Sequence, residues 1–422
     1  MTTTGEFRKF LPGPDHPPVR GIETQDAYSH GDLAHSPPIN EILEVMPKKL
    51  LAEPFKGITC DGKVHKNLFV LEPNGAPVEA MTEAARAILA VATPDELRKI
   101  SQPIDSEQWR KWSNPEFYVF RDTLRLEEHG EPIRAAILDL LAASMSPKGF
   151  EKAINCMRIN HFLGELVNAR KVMNEYSYNF CLFGEPSLTA PWGWQYFGHH
   201  LCLHCFVVGK SMTISPMFMG AEPNEIDVGP FAGTTIFRDE ERVGLQLMQS
   251  LPRDQKDRAQ IYKSMKDPAM PPGRWIFSDQ RHLGGAFQDN RIIPYEGVLA
   301  SEMGKAQQRT LLDLVGAFIE YLPPGPLAAR LSEVERHIGE TYFSWIGRHG
   351  DNDIYYYRIQ SPVIMVEFDH HSGVFLCNVE PERFHIHTLV RTPNGNDYGK
   401  DWLRAYNADR DPARNPKSVR VA

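Results

Sequence analysis

The chain has 422 residues, of which 42% are hydrophobic and 24% charged, so it can bury a substantial core in one large domain or two. Its formal net charge of -8 argues against nucleic acid as a main partner, because phosphate binding needs a basic surface. No apolar run approaches the roughly 20 residues that cross a bilayer, and the N-terminus lacks the apolar segment of a secretory signal. We therefore expect a cytoplasmic protein with no membrane partner.

The six cysteines fit a reducing compartment. They are few and scattered for a chain of this length, which is not the pattern of a disulfide framework. Cys202 and Cys205 have the Cys-x-x-Cys spacing of zinc and redox motifs, but on a strand residues three apart point to opposite faces. We expect both to be small buried side chains.

Residues 1–40 are rich in proline, histidine, glycine and acidic residues and show no periodicity, which predicts a flexible N-terminal arm. Residues 41–406 carry no convincing linker and no repeat, and we expect them to form one domain. A basic C-terminal tail is predicted for residues 407–422. Within the domain, residues 55–71 alternate enough to predict a hairpin or two strands.

Helical periodicity begins at residue 78, where strong helix formers carry apolar side chains three and four positions apart. Thr93-Pro-Asp-Glu has the pattern of a helix start, with threonine as cap and proline in the first turn. The helices predicted on these grounds cover residues 78–91, 132–144, 146–174, 237–251, 301–321, 326–340 and 401–406.

Alternating segments bounded by glycine or proline predict strands between these helices. They cover residues 176–183, 199–208, 211–218, 353–359, 362–369, 373–379 and 383–390. The polar stretch 254–297 has little periodicity and is long for a loop, which suggests a functional lid or an insertion. The fold class predicted is α+β, with a central, mostly antiparallel sheet that carries His and Glu residues and is flanked by helices.

Three groups of candidate ligands fall on the predicted strands. They are His199, His200 and His204; Glu367 and Asp369; and His385 and His387. Residues two apart on a strand share a face at roughly 6 to 7 Å, so a His-x-His pair can converge on one ion. The hypothesis is a mononuclear metal site.

We expect His385, His387 and Glu367 to bind the metal directly, with His199 or His200 as a fourth ligand or a catalytic proton-transfer group. Zinc in such a site suits hydrolysis or lyase chemistry, whereas iron(II) suits oxygen activation, and copper would also give oxidation. Asp369 or Asp397 is a candidate second-sphere acceptor.

Two alternatives to a metal site stay open. In one, the histidines and Glu367 form a polar cluster that holds the sheet together without an ion. In the other, a histidine acts as a metal-free general base on a substrate oriented by the catalytic pair Arg391 and Tyr398.

Candidate substrate-binding residues flank these groups. Arg391 suits a carboxylate or phosphate because its guanidinium makes two parallel hydrogen bonds; the alternative is a structural ion pair with Asp397. Trp192 and Trp194 can wall an aromatic pocket, although two tryptophans beside a glycine are more often core residues.

Several motifs in these segments resemble a family known as a domain of unknown function, DUF3500. They read Phe183-Gly-Glu-Pro-Ser, Trp192-Gly-Trp-Gln-Tyr-Phe-Gly-His-His-Leu, Pro216-Met-Phe-Met-Gly-Ala-Glu-Pro, Glu367-Phe-Asp, His385-Ile-His and Asp397-Tyr-Gly. The resemblance covers nearly the whole chain after the arm, and it implies homology without an activity.

Two positions depart from that family pattern. Gln195 stands where the resemblance implies arginine, which suggests a shifted substrate preference and makes Gln195 a candidate substrate-binding residue. His204 stands where it implies asparagine, which argues against His204 as an essential ligand.

Two hypotheses of function follow. The first is a metal-dependent enzyme of small-molecule metabolism, with hydrolase, lyase or oxygenase chemistry on a small-molecule substrate. The second is a non-enzymatic protein that holds a small ligand in a pocket lined by histidine and tryptophan. Metal content would separate the two.

Overall fold

A computed structural model describes residues 5–33, 37–117 and 119–410, and in these residues twelve strands form one open, largely antiparallel sheet. The strands are β1 (Ser101–Gln102), β2 (Leu124–Arg125), β3 (Tyr178–Phe183), β4 (Trp192–Gly198), β5 (Leu201–Val208), β6 (Ser211–Ala221), β7 (Gln260–Tyr262), β8 (Val298–Leu299), β9 (Tyr342–Gly347), β10 (Tyr355–Gln360), β11 (Met365–His370) and β12 (Ile386–Arg391). Their spatial order is β1-β3-β4-β5-β6-β12-β11-β10-β9-β7, with β2 beside β3 and β8 beside β9.

Helices accompany the sheet along the chain, which confirms the α+β prediction. They are α1 (Ala27–Leu33), α2 (Pro37–Asn40), α3 (Met46–Ala52), α4 (Val78–Val91), α5 (Pro94–Ile100), α6 (Glu131–Ser144), α7 (Pro147–Leu166), α8 (Arg238–Ser250), α9 (Arg253–Ala259), α10 (Lys305–Ile319), α11 (Pro324–Arg336) and α12 (Lys400–Arg410). Helix α4 has the predicted bounds. Helix α5 begins at the predicted cap, where the Thr93 side chain and Glu96 form a capping box.

The two faces of the sheet belong to two separate cores. Side chains such as Leu203, Val366 and Ile386 pack with helical residues in the main core. On the other face, Cys202, Phe218 and Leu389 pack with residues from loops and from α12. Because strand residues alternate between faces, His387 and Glu367 lie on this second face with Leu389.

The pairing of β6 with β12 joins the two halves of the sheet. His387 lies opposite Gly220 on β6, and on its other side it lies opposite Asp369 on β11. The middle and the end of the chain therefore meet at the strand that carries the His-x-His motif.

Two predicted strand regions were wrong. Residues 55–71 run irregularly, because Gly57, Gly62 and Asn67 take positive φ angles, and the Thr59 backbone pairs with the loop backbone at 291–293. Residues 373–379 form no strand. The backbone N–H groups of Val374 and Leu376 donate to the Glu222 carboxylate, at 2.9 and 3.0 Å, instead of to a neighbouring strand.

Strands β4 and β9 are not among the strands predicted from the sequence. Both are fully paired within the sheet, β4 between β3 and β5 and β9 beside β10. The Trp-Gly-Trp motif therefore lies on a central strand, with a glycine at 193 because a Cβ there would lie 2.2 Å from the Cys205 carbonyl oxygen.

The N-terminal segment contacts the domain from residue 5 onward. Phe7 is buried and packs edge-on against Phe162, and Arg8 pairs with Asp227 at 2.5 Å. Residues 407–410 continue α12, whereas residues 411–422 of the predicted tail lie outside the described residues. The division into arm, domain and tail stays a prediction. No helix in the described ranges has the length and apolar character needed to cross a membrane.

Two mid-helix glycines give a test of the packing. A Cβ at Gly244 on α8 would lie 2.3 Å from the buried Tyr357 ring, whereas at Gly316 on α10 the nearest atom would be 4.0 Å away. We expect Gly244→Ala to lower the free energy of unfolding by about 1–3 kcal/mol through overpacking. Gly316→Ala should leave it unchanged or raise it by up to ~1 kcal/mol through helix propensity. Urea titrations measure both, and equal effects would contradict the described packing of α8.

Candidate metal centre

Three histidines from distant parts of the chain converge beneath the second face of the sheet. His387 is the second residue of β12, and His385 directly precedes that strand. His200 lies in the turn between β4 and β5, where its φ of 62° places it in the left-handed region. That turn directs the imidazole of His200 toward β12 across the intervening β6.

The ring nitrogens of these residues, the His triad, lie close together. Nε2 of His387 is 3.1 Å from Nε2 of His200 and 3.1 Å from Nε2 of His385. One nitrogen from each ring lies within 4.8 Å of the other two. For comparison, nitrogens bound to one zinc ion by ~2.05 Å bonds at a tetrahedral angle are about 3.3 Å apart.

Two ordinary, two-centre hydrogen bonds cannot account for both short contacts. A neutral imidazole nitrogen carries either one N–H or one lone pair in the ring plane. Nε2 of His387 can therefore form a hydrogen bond with only one of its two neighbours. A cation that accepts all three lone pairs satisfies the whole set.

A glycine on β6 makes the approach of the two rings feasible. A Cβ at Gly220 would lie 2.8 Å from Cδ2 of His200 and 2.9 Å from Cδ2 of His387. The backbone N–H of Gly220 also donates to the His200 carbonyl at 2.9 Å, which holds the turn in place. Any larger residue at this position would push the two imidazoles apart.

Burial keeps the triad in its neutral, metal-binding form. It lowers the pKa of His385 to about 3 and holds the pKa values of His200 and His387 well below the usual 6.5. Metal ligation requires neutral imidazoles, so the triad offers three lone pairs at neutral pH.

Three further histidines surround the triad. His199 stacks on His200 with ring centroids 3.9 Å apart, and its Nδ1 contacts Asn160 Oδ1 at 2.8 Å. His371 lies 3.8 Å from the His387 ring. His282 lies 6.1 Å from the same ring, and neither of its nitrogens has a hydrogen-bond partner in the part of the chain that the structure describes.

A cavity of about 730 Å³ opens onto this cluster. Its floor includes His199, His200, His371 and His387. An ion held by the triad would thus face a space large enough for a small molecule, since ligand pockets usually measure 300–1,000 Å³.

Glu367 and Asp369 lie near the triad but have other partners. The Glu367 carboxylate accepts the backbone N–H groups of Leu283 and Gly284 at 2.8 and 2.9 Å. Asp369 forms a fully buried ion pair with Arg281 at 2.6 Å. The structure therefore places the predicted ligand Glu367 outside the His triad, together with the predicted ligand His199.

Two other buried carboxyl groups were not among the sequence candidates. Glu222 Oε1 lies 3.8 Å from Nδ1 of His385, and burial raises the pKa of Glu222 to about 7. Asp279 lines the cavity, and burial followed by the charge of Glu367 raises its pKa to about 7.

The sequence partly indicates the residues near the triad that were not among its predicted site residues. Glu222 lies within the motif that starts at Pro216, and His371 lies in the predicted turn after β11. Asp279 and His282 fall in the polar stretch 254–297, for which the sequence suggests a functional lid or an insertion. What it did not indicate is that this stretch folds back against β11 and β12.

Arg391 and Tyr398 are fully buried in a network of their own. Arg391 pairs with Asp289 at 3.0 Å and with Asp397 at 3.1 Å, and it donates to the carbonyls of Gly284 and Gly285. Tyr398 donates to Asp289 at 2.9 Å. The ion pair with Asp397 is the structural alternative that the sequence left open.

The remaining candidates lie within the sheet. Trp192 and Trp194 are fully buried in the main core, on the face opposite His387. Gln195 is fully buried and donates to the Trp109 carbonyl at 3.1 Å. His204 is also buried, and its Nδ1 contacts the Pro216 carbonyl at 2.8 Å. None of these four lines the cavity formed by the described residues.

Comparison with known proteins agrees with the resemblance. A family model described as a protein of unknown function (DUF3500) matches residues 74–400. No curated protein and no solved structure matches the chain. The match includes all three residues of the triad.

The buried network gives a test of the role of Arg391. We expect Arg391→Met to lower the free energy of unfolding by about 3–5 kcal/mol, because Asp397 would lose its buried cationic partner. As a control, Arg98 pairs with Asp95 at the surface, where the two side chains are 70% and 81% exposed. Arg98→Met should change stability by less than ~1 kcal/mol. Urea titrations compare the two, and wild-type stability in Arg391→Met would favour a substrate-binding role.

Proposed function

This chain belongs to the DUF3500 family, and we propose that it is a metal-dependent enzyme of small-molecule metabolism. His200, His385 and His387 hold one divalent ion in this proposal, and the cavity above them holds the substrate. The observation that carries the proposal is the pair of 3.1 Å contacts that share Nε2 of His387, because one ring nitrogen cannot form two ordinary, two-centre hydrogen bonds.

The donor set favours zinc and a hydrolytic or lyase reaction. Three histidines with an open fourth position form a known type of catalytic zinc site, in which the ion lowers the pKa of bound water to about 7. Non-haem iron(II) oxygenases typically use two histidines and one carboxylate. Here the nearby carboxylates of Glu367 and Asp369 are engaged by backbone N–H groups and by Arg281.

Asp279 is the proposed proton-transfer group. It is only 5% exposed and lines the cavity, and no described residue forms a hydrogen bond or ion pair with its carboxylate. Its pKa of about 7 suits a general acid or base at neutral pH. His199, which lines the same cavity, is a second group near the triad for this role.

We keep the reducing cytoplasm as the proposed compartment. All six cysteines are free thiols, and four of them are buried. Cys202 and Cys205 contribute to opposite faces of the sheet, which agrees with two small core residues and not with a shared ion.

Metal analysis of protein purified without a chelating tag tests the proposal. We expect about one ion per chain, with zinc in excess of iron and copper. His387→Ala and His200→Ala should each lose it, because two nitrogens cannot hold the ion against dilution. Elemental analysis after gel filtration gives the stoichiometry.

His204→Asn is the matched control, because His204 is another buried histidine but lies outside the triad. It should retain the ion. A metal-free wild-type protein that is as stable as its His387→Ala variant would overturn the proposal and favour the small-ligand-binding protein. Bound iron or copper would select an oxidation.

Glu222 provides a further test, because it is the carboxylate nearest to Nδ1 of His385. A carboxylate behind a ligating histidine orients the ring and raises its basicity. We expect Glu222→Gln to weaken metal affinity by about 10–100-fold while the folded state persists. Competition with a chromogenic chelator measures the affinity, and circular dichroism checks the fold. Unchanged affinity would remove Glu222 from the site.

A further inference from the structure

The cavity above the His triad is lined by apolar side chains, here called its wall, as well as by histidines. The hydrophobic side chains of that wall are Ile39, Ile42, Phe117, Trp275, Phe277, Ala286, Phe287, Val374, Leu376 and Val379. Most of them come from residues 275–287, which include Asp279, and from residues 374–379.

Two aromatic residues of this wall are unusually exposed. Trp275 is 41% exposed and Phe277 is 59% exposed. They are the exposed tryptophan and phenylalanine side chains in the described ranges, and both line the cavity. Exposed apolar surface that is gathered in one concave place marks a ligand-binding site, whereas scattered single residues need no explanation.

Two of the charged groups that line the cavity are paired, whereas Asp279 has no such partner among the described residues. The Glu116 carboxylate contacts Nε2 of His30 at 3.0 Å. Lys266 at the rim pairs with Glu380 at 3.1 Å, and Arg20 donates to the Asp15 carbonyl. A ligand inside the cavity would therefore contact apolar side chains, the histidines and the Asp279 carboxyl group.

The charge of an ion bound by the His triad determines which polar group such a ligand would carry. Three neutral imidazoles bring no negative charge into the coordination sphere of a divalent ion, since Glu367 and Asp369 are held by other groups. An anionic oxygen on the ligand would supply the missing negative charge.

We infer, on the basis of the proposed function, that the substrate class is an aromatic or similarly bulky apolar molecule with an acidic oxygen group. The apolar body packs against Trp275, Phe277 and Phe287, and the acidic group binds the ion of the triad. The cavity volume of about 730 Å³ accommodates a body of at least two fused rings.

Full-length protein loaded with cobalt(II) in place of the native ion provides the assay. Acetate, phenylacetate and 1-naphthylacetate are titrated while the visible absorption of the cobalt site is recorded. All three carry the same carboxylate and differ only in the apolar body. We expect the naphthyl compound to bind at least about 10-fold more tightly than acetate, since its rings bury apolar surface.

Variants of the cavity wall test where the apolar rings of the ligand bind. Phe277→Ala and Trp275→Ala should each reduce the preference for 1-naphthylacetate over acetate by about 3-fold or more, with acetate affinity unchanged. Leu188→Ala is the control, because Leu188 is 48% exposed but lies outside the cavity. It should leave the preference intact.

The outcomes separate this inference from the proposed function. Failure of cobalt to bind would overturn the metal site itself. A cobalt site that binds the three carboxylates equally, or binds none, would overturn the substrate class and leave the metal site standing. A naphthyl preference that neither wall variant changes would overturn the assigned wall.

Discussion

The antiparallel pairing of β6 with β12 is the interaction on which the site depends. It joins strands that are more than 160 residues apart in sequence, and it sets His387 opposite Gly220. A shift by one residue would turn His387 to the opposite face, into the main core. The register is fixed because Ile386 and Val390 of β12 are buried in that core, where polar replacements would be costly.

The protonation state of the imidazoles near this junction explains why so many of them tolerate burial. Each is neutral, because burial disfavours the charged form, and a neutral imidazole loses less on leaving water than a cation does. Yet a neutral ring still needs partners for two nitrogens. Several nitrogens of this cluster, including both of His282, have none among the described residues. A cluster built only to hold the sheet together would be expected to satisfy them.

How far the sequence predicts the site can be judged from particular residues. The His-x-His pair at 385 and 387 and the histidine at 200 were visible because spacing on a strand fixes the face. The role of Glu367 was not, since it depends on the backbone N–H groups of Leu283 and Gly284 in a stretch with no periodicity. Likewise, Glu222 draws residues 374–376 into a loop, although their alternation is typical of a strand.

The fold shows the same division between local and long-range information. Helix α4 and the cap of α5 follow from local propensity, which acts within a few residues. The central position of β4 does not, because its neighbours in the sheet decide it. Residues 275–287 likewise reach the cavity at the triad through long-range contacts, which no local sequence pattern encodes.

A ligand set of three imidazoles has a chemical consequence that a set with Glu367 would lack. A carboxylate ligand would neutralise part of the charge of the ion and make it a weaker Lewis acid toward water. Because Glu367 is bound by backbone N–H groups and Asp369 by Arg281, their negative charge would lie near a bound ion but outside its coordination sphere. Such an ion would retain its full charge for activating water or binding an anion, and Asp279 lines the same cavity. Because the carboxylates would lie near the ion without binding it, the proposed site resembles a three-histidine zinc site more than a carboxylate-bound iron site. This is the physical reason to favour hydrolytic or lyase chemistry in the proposal.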